Sequence, residues 1–115
     1  MSDELTIFQK IIAGEIPGKI EYEDEHCAVL HDINPQAPIH MLVVPKKVIP
    51  RLDQSSDDDT ELLGHLLQIA HTMAARCGDG EGFRIVINNG RKAGETVPHL
   101  HIHVLANRAM HWPPG

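Results

Sequence analysis

The stretch TVPHLHIHVLANR, residues 96–108, alternates histidine with apolar residues: His99, Leu100, His101, Ile102, His103, Val104. Successive side chains on a β-strand point to opposite faces. His99, His101 and His103 therefore share one surface, while Leu100, Ile102 and Val104 share the other. The apolar side has to be buried against a second layer of structure. The strand is then a rigid platform, which is where functional groups are best positioned.

The remaining sequence supplies partners for such a strand. In TIFQKIIAG, Thr6 followed three residues later by Gln9 is a capping-box pattern. Ile7, Phe8, Ile11 and Ile12 give that short helix an apolar stripe, and Gly14 and Pro17 end it. KIEYED (19–24) and CAVLHDI (27–33) read as two strands joined by a tight acidic turn. PIHMLVVP (38–45), bounded by prolines, reads as a buried strand after the loop DINPQAP. SSDDDTELLGHLLQIAHTMAARCGDG carries the clearest helix, capped by Ser56 or a neighbour, with acidic residues in the first turn. Its stripe is Leu62, Leu66, Ile69, Ala70, Met73 and Cys77, and Gly78 is the stop. FRIVINN (83–89) and HLHIHVLA (99–106) complete the strands, separated by the polar loop GRKAGET. Five strands and two helices that do not alternate strictly define an α+β domain with a mostly antiparallel sheet. The 115 residues suit one domain, residues 1–115.

Composition limits what such a domain can do. Hydrophobic residues are 42% and charged residues 23%, the range of a soluble globular protein. The formal net charge is −6, and no basic run exists to displace counterions from a duplex, so nucleic acid is not an expected partner. No apolar run approaches the roughly 20 residues of a membrane span, and MSDELTIFQK lacks the pattern of a secretory signal. Two cysteines, Cys27 and Cys77, imply no disulfide framework, and a cytoplasmic location is expected. Lys46 and Lys47 read as a solvated face. His65 lies off the helix's apolar stripe, and neither it nor His71 is assigned any chemistry.

Three readings of the histidine strand compete. A single histidine is most often a surface or satisfied core residue, but three in strict alternation are harder to dismiss. Metal binding is the second reading. At ~3.3 Å per residue the outer histidines stand ~13 Å apart, while zinc needs each nitrogen within ~2.1 Å, so a third ligand such as His40 would have to come from elsewhere. Nucleophilic catalysis is the third. A neutral imidazole attacks phosphorus when one nitrogen is free and the other is fixed by a hydrogen bond. Flanking histidines can donate to phosphate oxygens as charge builds, which makes the central His101 the geometric choice for nucleophile.

HLHIHVL matches the alternating signature of the histidine triad superfamily. With TIFQKIIAGEIP, HDINPQAPIHMLVVPKK, DDDTELLGHL, RIVINNG and MHWPPG it extends the match over nearly the whole chain, which resembles the histidine triad nucleotide-binding proteins. The resemblance implies hydrolysis of the P–N bond of purine nucleoside 5′-phosphoramidates (AMP joined to an amine or to lysine) through a nucleotidyl-histidine. It further implies a homodimer in which two five-stranded sheets join, and no metal or other cofactor. His101 would be the nucleophile, His103 would bond the α-phosphate, and His99 and His40 would complete the set that orients the nucleophile. Asp32 would hold the ribose hydroxyls. Leu30, Ile33 and Ile16 would form the base slot, although each by itself reads as core. Asn88, Gly94, Glu95 and Thr96 would meet phosphate and leaving group, and Trp112 would approach the site from the partner subunit.

Glu95 departs from the pattern, because relatives of this branch commonly carry Gln or a similar neutral residue there. A carboxylate beside a phosphate is electrostatically awkward, so Glu95 is expected either to point outward or to meet a cationic leaving amine. GRKAGETVPH also resembles the dinucleoside polyphosphate hydrolases, the alternative enzyme. A nucleotide-binding interaction module is the alternative outside catalysis. The uridylyltransferase branch carries Gln at the third triad position, and His103 here favours hydrolysis.

Overall fold

The structure, a computed structural model, describes residues 5–115. The beginning of the N-terminal stretch read above for a signal, residues 1–4, lies outside the described residues.

Five strands form one sheet: β1 (Ile20–Glu23), β2 (Cys27–His31), β3 (Ile39–Pro45), β4 (Phe83–Val86) and β5 (Ile102–Ala106). Their order is β1-β2-β3-β5-β4, and every pairing is antiparallel. Two helices, α1 (Ile7–Ile12) and α2 (Thr60–Cys77), complete the α+β arrangement, with single 3₁₀ turns at Leu52–Gln54, Asp57–Asp59 and Arg91–Ala93.

The period of two decides which layer covers which face. Met41 and Val43 of β3, Cys27 and Val29 of β2, and Ile102 and Val104 of β5 pack with Leu100 beneath Leu66, Ala70, Met73 and Ala74 of α2. The intervening residues Ala28, Leu30, Leu42 and Val44 face the other way, under Phe8 of α1. The expected alternation therefore holds, and the imidazoles lie on the α1 side.

The capping box of α1 is formed: the Gln9 amide donates to the Thr6 hydroxyl (3.1 Å), and the Thr6 amide donates to Oε1 of Gln9 (2.8 Å). Ser56 and Asp59 make the equivalent box one turn before α2 begins, so a 3₁₀ turn precedes the expected helix. Gly78 ends α2 with an extended backbone, φ −90°, rather than a left-handed one. Close approach explains the glycine here, since a Cβ would stand 2.6 Å from the Ala74 carbonyl oxygen.

All five strands are shorter than their sequence patterns, β1, β2 and β3 by one or two residues and β4 and β5 by three. β4 stops at Val86 instead of continuing to residue 89, and the β5 ladder begins at Ile102 instead of His99. The residues before β5 have other partners: the His99 amide donates to the Val97 carbonyl (2.8 Å) and the Leu100 amide to the Ile49 carbonyl (2.7 Å). The lysines read as a solvated face are both paired, Lys46 with Glu23 at 2.7 Å and Lys47 with Asp59 at 2.6 Å.

Leu66 is fully buried between α2 and the sheet, whereas Leu67 is 47% exposed. Leu66→Ala is expected to lower the unfolding free energy by about 2–5 kcal/mol and Leu67→Ala by about 0.5 kcal/mol or less. Urea denaturation checks this, and equal losses at both positions would contradict the assigned helix face.

Candidate active site

Tautomers in the histidine cluster follow from the backbone groups that the rings meet. A carbonyl oxygen can only accept, and a backbone amide can only donate. Nε2 of His99 stands 2.7 Å from the Pro45 carbonyl, so it carries the proton. Nδ1 of His99 is then the acceptor for the Thr6 hydroxyl at 2.7 Å. Nδ1 of His101 stands 2.7 Å from the His99 carbonyl and carries its ring's proton, which leaves Nε2 with a free lone pair. Among the described residues no hydrogen-bond partner meets that Nε2.

A second chain begins on β3. The Gln36 amide donates to Nδ1 of His40 at 3.0 Å, so the His40 proton is on Nε2. It is donated to Nδ1 of His103 at 2.9 Å, which places the His103 proton on its own Nε2. Asp32 Oδ2 lies 3.5 Å from the same His40 nitrogen, and Oδ1 accepts from the Asn34 amide at 2.8 Å. Asp32 thus holds the turn through the Asn34 amide and also forms a wall of the site.

Burial disfavours the charged form of His99, His40 and His103. It pushes His99 and His40 below the ordinary imidazole range, against the opposing pull of the Pro45 carbonyl and of Asp32 respectively. His103 falls to about 4, through burial first and then the positive charge that His101 and His40 would carry. At neutral pH, His103 is accordingly a neutral donor whose protonated nitrogen is fixed by His40.

His101 and His103 open into a cavity of about 250 Å³. Leu30, Asp32, Ile33 and Thr96, all proposed from sequence, line it as well. The rest of the wall is Ile7, Phe8 and Ile11 of α1 with His31, Leu42 and Val97. The Phe8 ring meets His101 edge-on with centroids 4.9 Å apart and His99 at 5.7 Å. Ile33 is 87% exposed, so it forms a lip and not a buried floor. The α1 residues went unassigned because their spacing reads as an ordinary core stripe. His31 escaped notice as one of nine histidines, although its place beside Asp32 was a usable signal.

Other assigned residues lie outside this cavity. Ile16 is half-buried but does not line it. Asn88 and Gly94 are neighbours, a Cβ on Gly94 lying 3.8 Å from the Asn88 amide group, and the left-handed φ of +94° explains the glycine. Trp112 is 84% exposed and does not reach the cavity of its own chain. Glu95 requires a correction. Its carboxylate neither turns to solvent nor waits for an amine, because Arg51 takes both oxygens at 2.9 and 2.8 Å and the Gly90 amide donates to Oε1 at 3.0 Å. Arg51 lies 44 residues away and carried no sequence signal.

A metal is geometrically conceivable at Asp32, His40 and His103, whose ligand atoms lie within 4.8 Å of one another. Binding there would break the His40–His103 hydrogen bond that orients the donor.

An antiparallel sheet that carries imidazoles into an apolar cavity, one of them with an unpartnered ring nitrogen, is the framework of a histidine-based site for a small ligand. Residues 13–110 match the family model described as the HIT domain. The chain belongs to this histidine triad family. It is 54% identical over 112 residues to an uncharacterized HIT-like protein of Synechocystis sp., covering 97% of this chain and 98% of that one. It is 44% identical over 117 residues to a protein of Zea mays named 14 kDa zinc-binding protein, covering 100% of this chain and 91% of the relative. A HIT family hydrolase from Legionella pneumophila superposes with a TM-score of 0.91 at 44% identity, covering 95% of this chain and 98% of that one.

Arg51 and then the Gly90 amide hold the Glu95 carboxyl down at about 2. A depressed carboxyl contributes stability that is fully present above its unfolded value, near 4.5, and is lost as pH falls through about 2. Glu95→Gln is therefore expected to be less stable than the parent at neutral pH, with the deficit closing between those two values. Urea denaturation of both proteins across that range checks it, and a deficit independent of pH would contradict the ion pair.

Proposed function

We propose that the chain is a nucleotidyl hydrolase that cleaves the P–N bond of purine nucleoside 5′-phosphoramidates, AMP-amine or AMP-lysine conjugates, as a single histidine triad domain over residues 1–115. One observation carries the reading: the His101 Nδ1 proton is held by a backbone carbonyl, and its Nε2 lone pair opens into a cavity beside a neutral donor, His103.

In the proposed first step Nε2 of His101 forms a bond to the α-phosphorus and the P–N bond breaks. The leaving nitrogen takes a proton from solvent. The His101 ring becomes cationic, and its Nδ1–H bond to the His99 carbonyl strengthens as that charge appears. This favours the transition state over the ground state. Nε2–H of His103 donates to a phosphate oxygen as negative charge builds, with its direction set by His40. In the second step water attacks the same phosphorus, the P–Nε2 bond breaks, and a proton returns to solvent as nucleoside monophosphate leaves.

Leu30, Leu42, Ile7, Ile11 and Ile33 supply apolar surface for a base, and Asp32 is an acceptor for ribose hydroxyls. Pairing with Arg51 removes much of the repulsion that a free Glu95 would exert on phosphate, and the pair supports the loop from Gly90 to Thr96. Asn88, Gly94 and Glu95 then serve the leaving-group side through this loop. The chemistry calls for no metal or cofactor.

The proposed assembly is a homodimer joined at the exposed edge of β4. Phe83 is 45% exposed there, and the tail bearing Trp112 is tied to β4 by Arg84, which donates to the His111 carbonyl at 2.7 Å. Trp112 would serve the partner's cavity. No helix among the described residues is long and apolar enough to cross a membrane, and both cysteines are free. A cytoplasmic location is proposed with these features.

An adenosine phosphoramidate with a fluorogenic amine tests the reaction in the presence of a chelator. Turnover by the parent and a loss of about 10³-fold or more in His101→Ala are expected. Turnover that survives the substitution would reject His101 as the nucleophile. Sedimentation velocity is expected to give the dimer mass, and a monomer at micromolar concentration would reject the proposed assembly.

A further inference from the structure

On the α2 face of the sheet, opposite the histidine cavity, a second cluster joins the β1–β2 turn to the helix. Nε2 of His65 lies 2.7 Å from Oδ2 of Asp24, and the ligand atoms of Asp24, Cys27 and His65 all fall within 4.8 Å of one another. Cys27 is fully buried. We propose that Asp24, Cys27 and His65 form a binding site for a thiophilic divalent cation, with zinc the ion whose ligand preferences fit best.

The donor set is the first argument. Carboxylate oxygen, imidazole nitrogen and thiolate sulfur are the three zinc ligands of proteins, at about 2.0–2.3 Å. Tetrahedral bonds of that length hold ligand atoms about 3.3–3.6 Å apart, so the present separations need shifts of about 1 Å, within reach of side-chain rotation. His26 is available for a fourth position, its exposed ring lying edge-on to His65 with centroids 5.8 Å apart.

Preorganisation is the second. Oδ1 of Asp24 accepts from the His26 and Cys27 amides, each at 2.8 Å. These bonds fix the carboxylate and aim Oδ2 at His65 and at the Tyr22 hydroxyl, which donates to it at 2.9 Å. Outer hydrogen bonds of this kind orient the ligands in metal sites.

Charge is the third. Among the described residues Asp24 has no lysine or arginine partner, and the nearby Lys46 is engaged by Glu23. A divalent cation at this position displaces the Cys27 thiol proton. The S–H bond breaks, its proton goes to solvent, and a sulfur–metal bond forms. The His65 proton moves from Nε2 to Nδ1 so that Nε2 can bind. One carboxylate and one thiolate then balance the two positive charges. The site stands independently of the nucleotide chemistry, which lies on the other face of the sheet.

Cobalt(II) is the probe, because a thiolate ligand gives it an intense near-ultraviolet charge-transfer band. The full chain, stripped with chelator, is expected to bind one cobalt with that band and to release it when zinc is added. Cys27→Ser should abolish the band, and His65→Gln should weaken binding about tenfold or more. His103→Gln should keep it. His65 is on the surface of α2, so its variant keeps the test decisive if Cys27→Ser does not fold. Cobalt bound without a sulfur band, a band unaffected by His65→Gln, or no binding at micromolar metal would each overturn the proposal.

Discussion

Burial of Leu100, Ile102 and Val104 beneath α2 is the constraint on which the rest depends. These side chains are almost wholly removed from water, which commits the opposite face of the same backbone to the cavity. Rotating the strand would cost the burial of three large apolar groups, about 1.5–3 kcal/mol each. The imidazoles are thus held where they are by residues that never touch a ligand. Phe8 and the other residues of α1 close the second side, so the histidines stand between two apolar layers.

Inside that frame, the buried polar groups are matched donor to acceptor, while Nε2 of His101 has no hydrogen-bond partner among the described residues. Every buried side-chain nitrogen and oxygen among the described residues has a partner. Backbone carbonyls at Pro45 and His99 and the Gln36 amide fix the proton positions of three rings, and His40 fixes that of the fourth. Backbone groups cannot exchange roles as side chains can. The reactive nitrogen of the proposed mechanism is therefore selected by the fold, and burial disfavours the charged form of the flanking rings.

Much of this was legible in the sequence, and the exceptions have physical reasons. The capping box at Thr6, the period-two pattern of β5 and the stripe of α2 are local signals, and each element formed where its pattern lies. The strand ends were less legible, because Leu100 leaves the ladder for the Ile49 carbonyl, a partner 51 residues away. His40 and Asp32 were assigned through resemblance, not spacing, and the structure brings both beside His103. Pairings between distant segments left no trace: Arg51 with Glu95, Thr6 with His99, and His65 with Asp24. His65 was assigned no chemistry because only its position on the helix could be judged, not the hairpin turn that meets it.

In the proposed mechanism a nitrogen atom of His101 becomes covalently bonded to the α-phosphorus. Acid-free rapid quenching of the enzyme with an adenosine phosphoramidate, followed by peptide mass spectrometry, tests it directly. An adenylyl group is expected on the peptide spanning residues 96–108, localised to His101, forming and decaying within one turnover. Turnover with no adenylylated peptide, or an adenylyl group on His99 or His103 instead, would contradict it.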